Sequence, residues 1–115
     1  GTSVDGIDAA IVDVTGAPPA LTVRLRHFTT IPFTPEQRES IFQLFSPATG
    51  RVDAICAMNF RLGAWFADAA LQAMAQAGLT PDQLDLIASH GQTIHHLVGA
   101  DVETRSTLQI GEAAV

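Results

Sequence analysis

Two short stretches hold the residue types that can do chemistry. The first is Gly1-Thr2-Ser3-Val4-Asp5-Gly6-Ile7-Asp8. Two glycines and two hydroxyls in one turn let backbone N–H groups and side-chain oxygens close on phosphate oxygens, because glycine lacks the Cβ that would hold a ligand away. Asp5 or Asp8 can then face a magnesium ion through water, since Mg2+ takes few carboxylates and keeps several waters. A plain turn ahead of a strand explains the same residues. The stretch is not a Walker loop: it lacks the Gly-Lys-Ser/Thr ending, and the chain has no lysine. Nor is it a nucleophile elbow, because Ser3 sits between Thr2 and Val4 with the wrong glycine spacing.

The second stretch is Ser89-His90-Gly91-Gln92-Thr93-Ile94-His95-His96, directly after the apolar run Leu86-Ile87-Ala88. Ligands of open α/β sheets bind beyond the carboxyl ends of strands, where loops bring polar groups together. An imidazole, an amide and a hydroxyl around one glycine suit a polyhydroxylated ligand, each offering a donor or acceptor to a sugar hydroxyl. Zinc bound by His90, His95 and His96 is a competing reading, although the spacing matches no zinc signature. Histidines hydrogen-bonded for loop structure are the third.

Other polar residues point to structure. Asn59, Arg61, Trp65 and Asp68 lie among apolar residues of one helical pattern. Trp65 and Phe66 read as core, and Cys56 as a small buried hydrophobe. Glu36, Arg38 and Glu39 read as a solvated helix face.

These stretches need a frame. Ile7 to Val14 predicts a largely buried strand, Thr15 to Pro19 a turn, and Leu21, Val23 and Leu25 a second strand with its apolar face on a core, so the two form a hairpin. Thr34-Pro35-Glu36-Gln37 supplies a capping hydroxyl, a proline at the first helical position and a Gln that reaches back, predicting a helix to about Phe45. Asp53 can cap a longer helix with apolar Ile55, Met58, Leu62, Phe66, Ala69, Ala70, Ala73 and Ala77, ending at Gly78 with Leu79 in a Schellman contact. Thr80-Pro81-Asp82-Gln83 starts a single turn before a strand at Leu86 to Ala88, and Ser106 to Ile110 predicts a last strand entering the first turn of a helix at Gly111 to Val115. The order strand, strand, helix, helix, strand, strand makes a mixed α/β domain.

Composition removes other classes. Of 115 residues 47% are hydrophobic and 16% charged, too apolar for disorder. A net charge of −6, with six scattered arginines, disfavours nucleic acid and acidic membranes as partners. No apolar run reaches the ~18 residues of a membrane span. One cysteine forms no internal disulfide, so a cytoplasmic location is expected. The missing initiator Met and the unfinished last helix read as cuts at both ends.

Taken together, Gly1 to Asp8, Leu62-Gly63 to Phe66-Ala67-Asp68, Ser89-His90-Gly91-Gln92-Thr93 and Ser106-Thr107-Leu108-Gln109-Ile110-Gly111 resemble the anhydro-N-acetylmuramic acid kinase family, in the family's order and across the whole chain. The resemblance implies the amino-terminal lobe, residues 1–115, of a two-lobe sugar kinase with the actin-like ATPase, ribonuclease H-like fold, a mixed sheet with packed helices. It implies ATP and Mg2+ as cofactors and an amino sugar as substrate. The enzyme would add water across the 1,6-anhydro bridge of the recycled cell-wall sugar and phosphorylate its 6-oxygen, giving N-acetylmuramic acid 6-phosphate.

By the same resemblance, Gly1, Thr2, Ser3, Val4, Asp5, Gly6, Ile7 and Asp8 form the first nucleotide-phosphate loop, and Asp5 meets the metal through water. His90, Gln92 and Thr93 line the sugar site. His95 and His96 receive no role. The family's Asp-Thr-Gly-Pro-Gly-Asn segment, which carries the general base, is not in the chain, so no catalytic residue is assigned and the 115 residues alone are expected not to turn over. An unpaired strand edge would invite a second copy, a homodimer. The alternative is a non-catalytic nucleotide- or sugar-binding module built on the same lobe.

Overall fold

A computed structural model describes residues 4–101 and 103–115. Its elements are β1 (Gly6–Ala17), β2 (Ala20–Pro32), α1 (Pro35–Phe42) continued by a 3-10 turn (Gln43–Phe45), α2 (Val52–Gln76), a 3-10 turn (Pro81–Gln83), β3 (Gln92–Leu97) and β4 (Ser106–Ile110). The chain is mixed α/β, as the order of elements predicts. Its strands form two antiparallel pairs, β1 with β2 and β3 with β4.

Local signals act where they stand. The Gln37 N–H donates to Thr34 Oγ1 at 3.2 Å and the Thr34 N–H to Gln37 Oε1 at 2.9 Å, a reciprocal cap that starts α1. At the far end of α2, Gly78 takes φ +71°, Leu79 N–H donates to Met74 O at 2.9 Å and Gly78 N–H to Ala75 O at 3.2 Å, the expected Schellman ending. The start of α2 differs from expectation. Arg51 occupies the cap position, and Asp53 lies inside the first turn, accepting from Arg51 Nε at 3.1 Å, where a carboxylate complements the helix dipole.

The hairpin is longer than predicted, with Pro18 and Pro19 at its turn and Arg26 at a bulge opposite Ile11 and Val12 outside the paired register, and its apolar face is the open one. Ile11 is buried with Ala73 and Met74 of α2, and His27 Nε2 donates to Gln76 Oε1 at 2.8 Å, so one face sits on the helix. Val12, Val14, Leu21, Val23 and Leu25 point the other way and are exposed, which corrects the expectation that they lie on the core, and Phe28 is exposed on the same side. Alternation of period two says that the faces differ, and the packing of α2 decides which one is covered. The hairpin's reach gives a radius of gyration of 16.4 Å, against about 13 Å for a rounded domain of this length.

The main core joins Val4, Ile41, Leu44, Met58, Leu62, Ile94 and Ile110, with Phe33, Trp65 and Phe66 packed on it. Trp65 and Phe66 are therefore core-facing, as expected. Cys56 is not buried: it lies on the exposed side of α2.

The strand expected at Leu86 to Ala88 does not form. These residues have no ladder partner among the described residues, and Leu86 and Ile87 are 81% and 64% exposed. Pairing falls instead to Gln92–Leu97, which finds β4 as its antiparallel partner. Gly111 to Val115 contains a turn at Ala113 and Ala114 rather than helix.

Candidate functional site

The first candidate stretch ends in structure that its sequence did not show. Gly1, Thr2 and Ser3 lie outside the described residues. Val4 is buried in the main core with φ +50°, a left-handed conformation that a β-branched residue adopts only where its surroundings hold it. Asp5 keeps its side chain 74% exposed, and its carbonyl accepts from Phe33 N–H at 3.1 Å. Gly6, Ile7 and Asp8 already belong to β1, so the turn is shorter than the motif. The Asp8 carboxylate accepts from Thr30 Oγ1 across the hairpin at 2.6 Å. Both acids are exposed, and they differ in that the Asp8 carboxylate is engaged by the Thr30 hydroxyl across the hairpin. An exposed carboxylate such as that of Asp5 fits an outer-sphere Mg2+ contact, and among the described residues no three His, Cys, Asp or Glu side chains gather as a metal-ligand group.

Arg38 is the residue that sequence reasoning missed. Its Nε donates to Val4 O at 3.1 Å, and an Nη lies 3.8 Å from Asp5 Oδ1. The reading of Glu36, Arg38 and Glu39 as a solvated face holds, since all three are exposed, and from that face Arg38 also reaches the opening stretch. No local signal marks the contact, since the partners are more than thirty positions apart in sequence.

The second stretch folds as a tight entry to β3. Gly91 takes φ +74°, and a Cβ there would lie 2.9 Å from Ile110 O, so glycine is required for the approach to β4. Gly91 N–H donates to Ser89 Oγ at 3.0 Å. The His90 ring is held from both sides, 3.2 Å from Gly91 O at Nδ1 and 3.2 Å from Gln109 Nε2 at Nε2. The carbonyl must accept, so Nδ1 carries the proton, and Nε2 then accepts from the Gln109 amide. This ring therefore serves loop structure as well as any ligand. Gln92 Nε2 donates to Thr93 O at 3.0 Å.

Thr93 and Ile94 are consecutive in β3 yet both buried, at 9% and 5% exposure. Regular strand alternation would turn one outward. A bulge between Thr93 and His95 leaves Ile94 unpaired and allows both to face inward. Beside them a groove of about 410 Å³ is lined by Phe42, Phe45, Thr93, Ile94, His95 and His96. Ile94 shares the main core with Val4, so both candidate stretches root in the same packed centre.

Comparison with known proteins gives one family throughout. Residues 1–115 match the family model described as anhydro-N-acetylmuramic acid kinase. A protein of that name from Caldanaerobacter subterraneus subsp. tengcongensis is 51% identical over 119 residues, covering 100% of this chain and 30% of the relative. Proteins of the same name from Bacillus cereus and Bacillus anthracis are 47% identical over 116 residues, again covering 100% of the chain and 30% of each relative. The chain thus spans 30% of the length of these curated relatives.

Proposed function

Since the chain belongs to the anhydro-N-acetylmuramic acid kinase family, we propose that it supplies the amino-terminal lobe of an ATP- and Mg2+-dependent kinase acting on 1,6-anhydro-N-acetylmuramic acid. The observation that carries this reading is the match over all 115 residues. In it the lobe is the actin-like, ribonuclease H-like half of a two-lobe cleft. Water adds at C1 and gives up a proton to a general base, the bond from C1 to O6 breaks, and O6 takes the γ-phosphoryl group of ATP, leaving ADP and N-acetylmuramic acid 6-phosphate.

In this reading the residues from Gly1 to Asp8 meet the nucleotide phosphates, with Asp5 aimed at magnesium through water. His90, Gln92 and Thr93 meet the sugar. Phosphoryl transfer depends on positioning and charge stabilisation, so the lobe's part is to place phosphates and sugar against each other. The general base is not among these residues, and the 115 residues alone are expected to show no turnover. Support for the sugar side comes from a buried Thr93 beside an aromatic-lined groove, a common setting for a carbohydrate ring.

The test is a chimera in which these 115 residues replace the matched stretch of the Caldanaerobacter relative. It is assayed with the anhydro sugar and Mg-ATP for ADP and the 6-phosphate. Production of both supports the kinase reading. A cooperatively folding chimera that binds either ligand without turnover would establish the binding-module alternative instead.

A further inference from the structure

The guanidinium of Arg38 lies between the opening stretch and an aromatic ring. Nε donates to Val4 O at 3.1 Å, an Nη is 3.8 Å from Asp5 Oδ1, and Cζ stands 5.0 Å from the centroid of Phe42. Arg38 and Phe42 are four apart on α1 and so share a face of the helix. Phe42 meets Phe45 edge-on with centroids 5.5 Å apart, and both rings line the groove that holds Thr93. A set of contacts therefore runs from Val4 and Asp5 through α1 to the two rings of the groove that Thr93 also lines. Its first link needs arginine: a planar fork can serve a carbonyl and a carboxylate at its edge while its face covers a ring, and a lysine ammonium cannot do all three.

We propose that Arg38 is a positioning residue that sets the Val4 carbonyl and the Asp5 carboxylate for a nucleotide, and that Phe42 and Phe45 carry this setting to the groove at Thr93, coupling nucleotide and sugar occupancy. The inference rests on the reading that the opening stretch meets ATP. It adds what that reading lacks, a reason for Val4 to hold φ +50° in the core and a physical link between the two candidate stretches.

The experiment uses the chimera with Arg38→Gln, Arg38→Lys, Phe42→Leu and Asp5→Asn, and titrates Mg-ATP with and without the anhydro sugar. Amide exchange at Phe33 is followed alongside, because that N–H is bonded to Asp5 O and reports the setting without any ligand. Both Arg38 variants are expected to weaken Mg-ATP about ten-fold or more and to speed exchange at Phe33, with sugar affinity measured alone unchanged. Phe42→Leu leaves the Arg38 contacts to Val4 and Asp5 in place, so it is expected to weaken Mg-ATP alone less than Arg38→Lys does and to lose most of the gain in that affinity caused by the sugar.

Full affinity in Arg38→Lys would overturn the positioning role, since charge alone would then suffice. If Arg38→Gln fails to fold, Arg38→Lys carries the test. Should Asp5→Asn weaken Mg-ATP while both Arg38 variants bind it like the parent, the inference falls and the phosphate reading stands. Should none of the three change it, the phosphate reading falls and takes the inference with it. An unchanged sugar effect in Phe42→Leu would overturn the coupling.

Discussion

The backbone N–H of Gly111 donates to the side-chain oxygen of Asn59 at 2.7 Å. The next residue is held to the same helical position: Glu112 N–H donates to Asn59 O at 2.9 Å, and Asn59 Nδ2 donates to Glu112 Oε2 at 3.5 Å. Asn59 thus fastens the exit of β4 to the middle of α2. Asn59→Ala removes the acceptor from a half-buried N–H and is expected to cost about 1–3 kcal/mol in urea unfolding. Asn59→Asp keeps that acceptor but sets a second carboxylate against Glu112, so its loss should fall as salt is added. Equal losses at low and high salt would contradict this account.

Gly63, one turn further along α2, sits where the Glu112 carbonyl passes. A Cβ at this position would run into Glu112 O and lie 2.8 Å from Val115 Cγ2. In an open helix alanine would be favoured over glycine by about 1 kcal/mol. Here overpacking, at about 1–3 kcal/mol, is expected to win, so Gly63→Ala should lower the urea midpoint. A raised midpoint would mean that the segment from Gly111 to Val115 moves aside at little cost.

What was legible in the sequence was what neighbouring residues decide among themselves. The Thr34–Gln37 cap, the Gly78–Leu79 ending and the long apolar stripe through Met58, Leu62, Ala69 and Ala73 all depend on partners within a few positions. Outcomes set by distant partners were not legible. Leu86-Ile87-Ala88 is the more apolar run, yet pairing went to Gln92-Thr93-Ile94, whose two β-branched residues suit a strand and which meets β4. The buried side of the hairpin was decided by Ala73 and Met74, and the role of Arg38 by Val4, a residue 34 positions away. Cys56 fits the apolar pattern of α2 well enough to suggest burial, but nothing packs over that side of the helix among the described residues.

At the far end of the hairpin, Arg24 donates to Asp13 Oδ2 at 2.9 Å and Arg26 lies 3.6 Å from Oδ1. The Arg24 hydrogen bond, helped by the charge of Arg26, holds the Asp13 carboxyl below its ordinary value of 3.8. A lowered folded value means that the contribution is fully present above the unfolded value and is lost as pH falls through the folded one. Strands near Asp13 and Arg24 should therefore fray below about pH 3.8, with little change between pH 5 and 8. Carboxyl chemical shifts of Asp13 across pH 2–6 check this, and Arg24→Ala should move its midpoint upward. A midpoint unmoved by that substitution would assign the shift to another cause.

Thr93 offers the most direct probe of the sugar side. Valine has nearly the shape of threonine and exchanges only the hydroxyl for a methyl, so Thr93→Val isolates one hydrogen-bonding group in a side chain that is 9% exposed. The Thr93 side chain lines the groove shared with Phe42 and Phe45. The exchange should therefore leave the unfolding midpoint close to that of the parent. If the hydroxyl meets a sugar hydroxyl, its loss leaves a ligand group unpaired at about 1–3 kcal/mol, a weakening of roughly ten-fold or more. Calorimetric titration of the chimera with the anhydro sugar reads this directly, with Mg-ATP affinity in the absence of sugar expected to hold. Unchanged sugar affinity in a variant of parental stability would take Thr93 out of the site and leave its burial to the bulge at Ile94 alone.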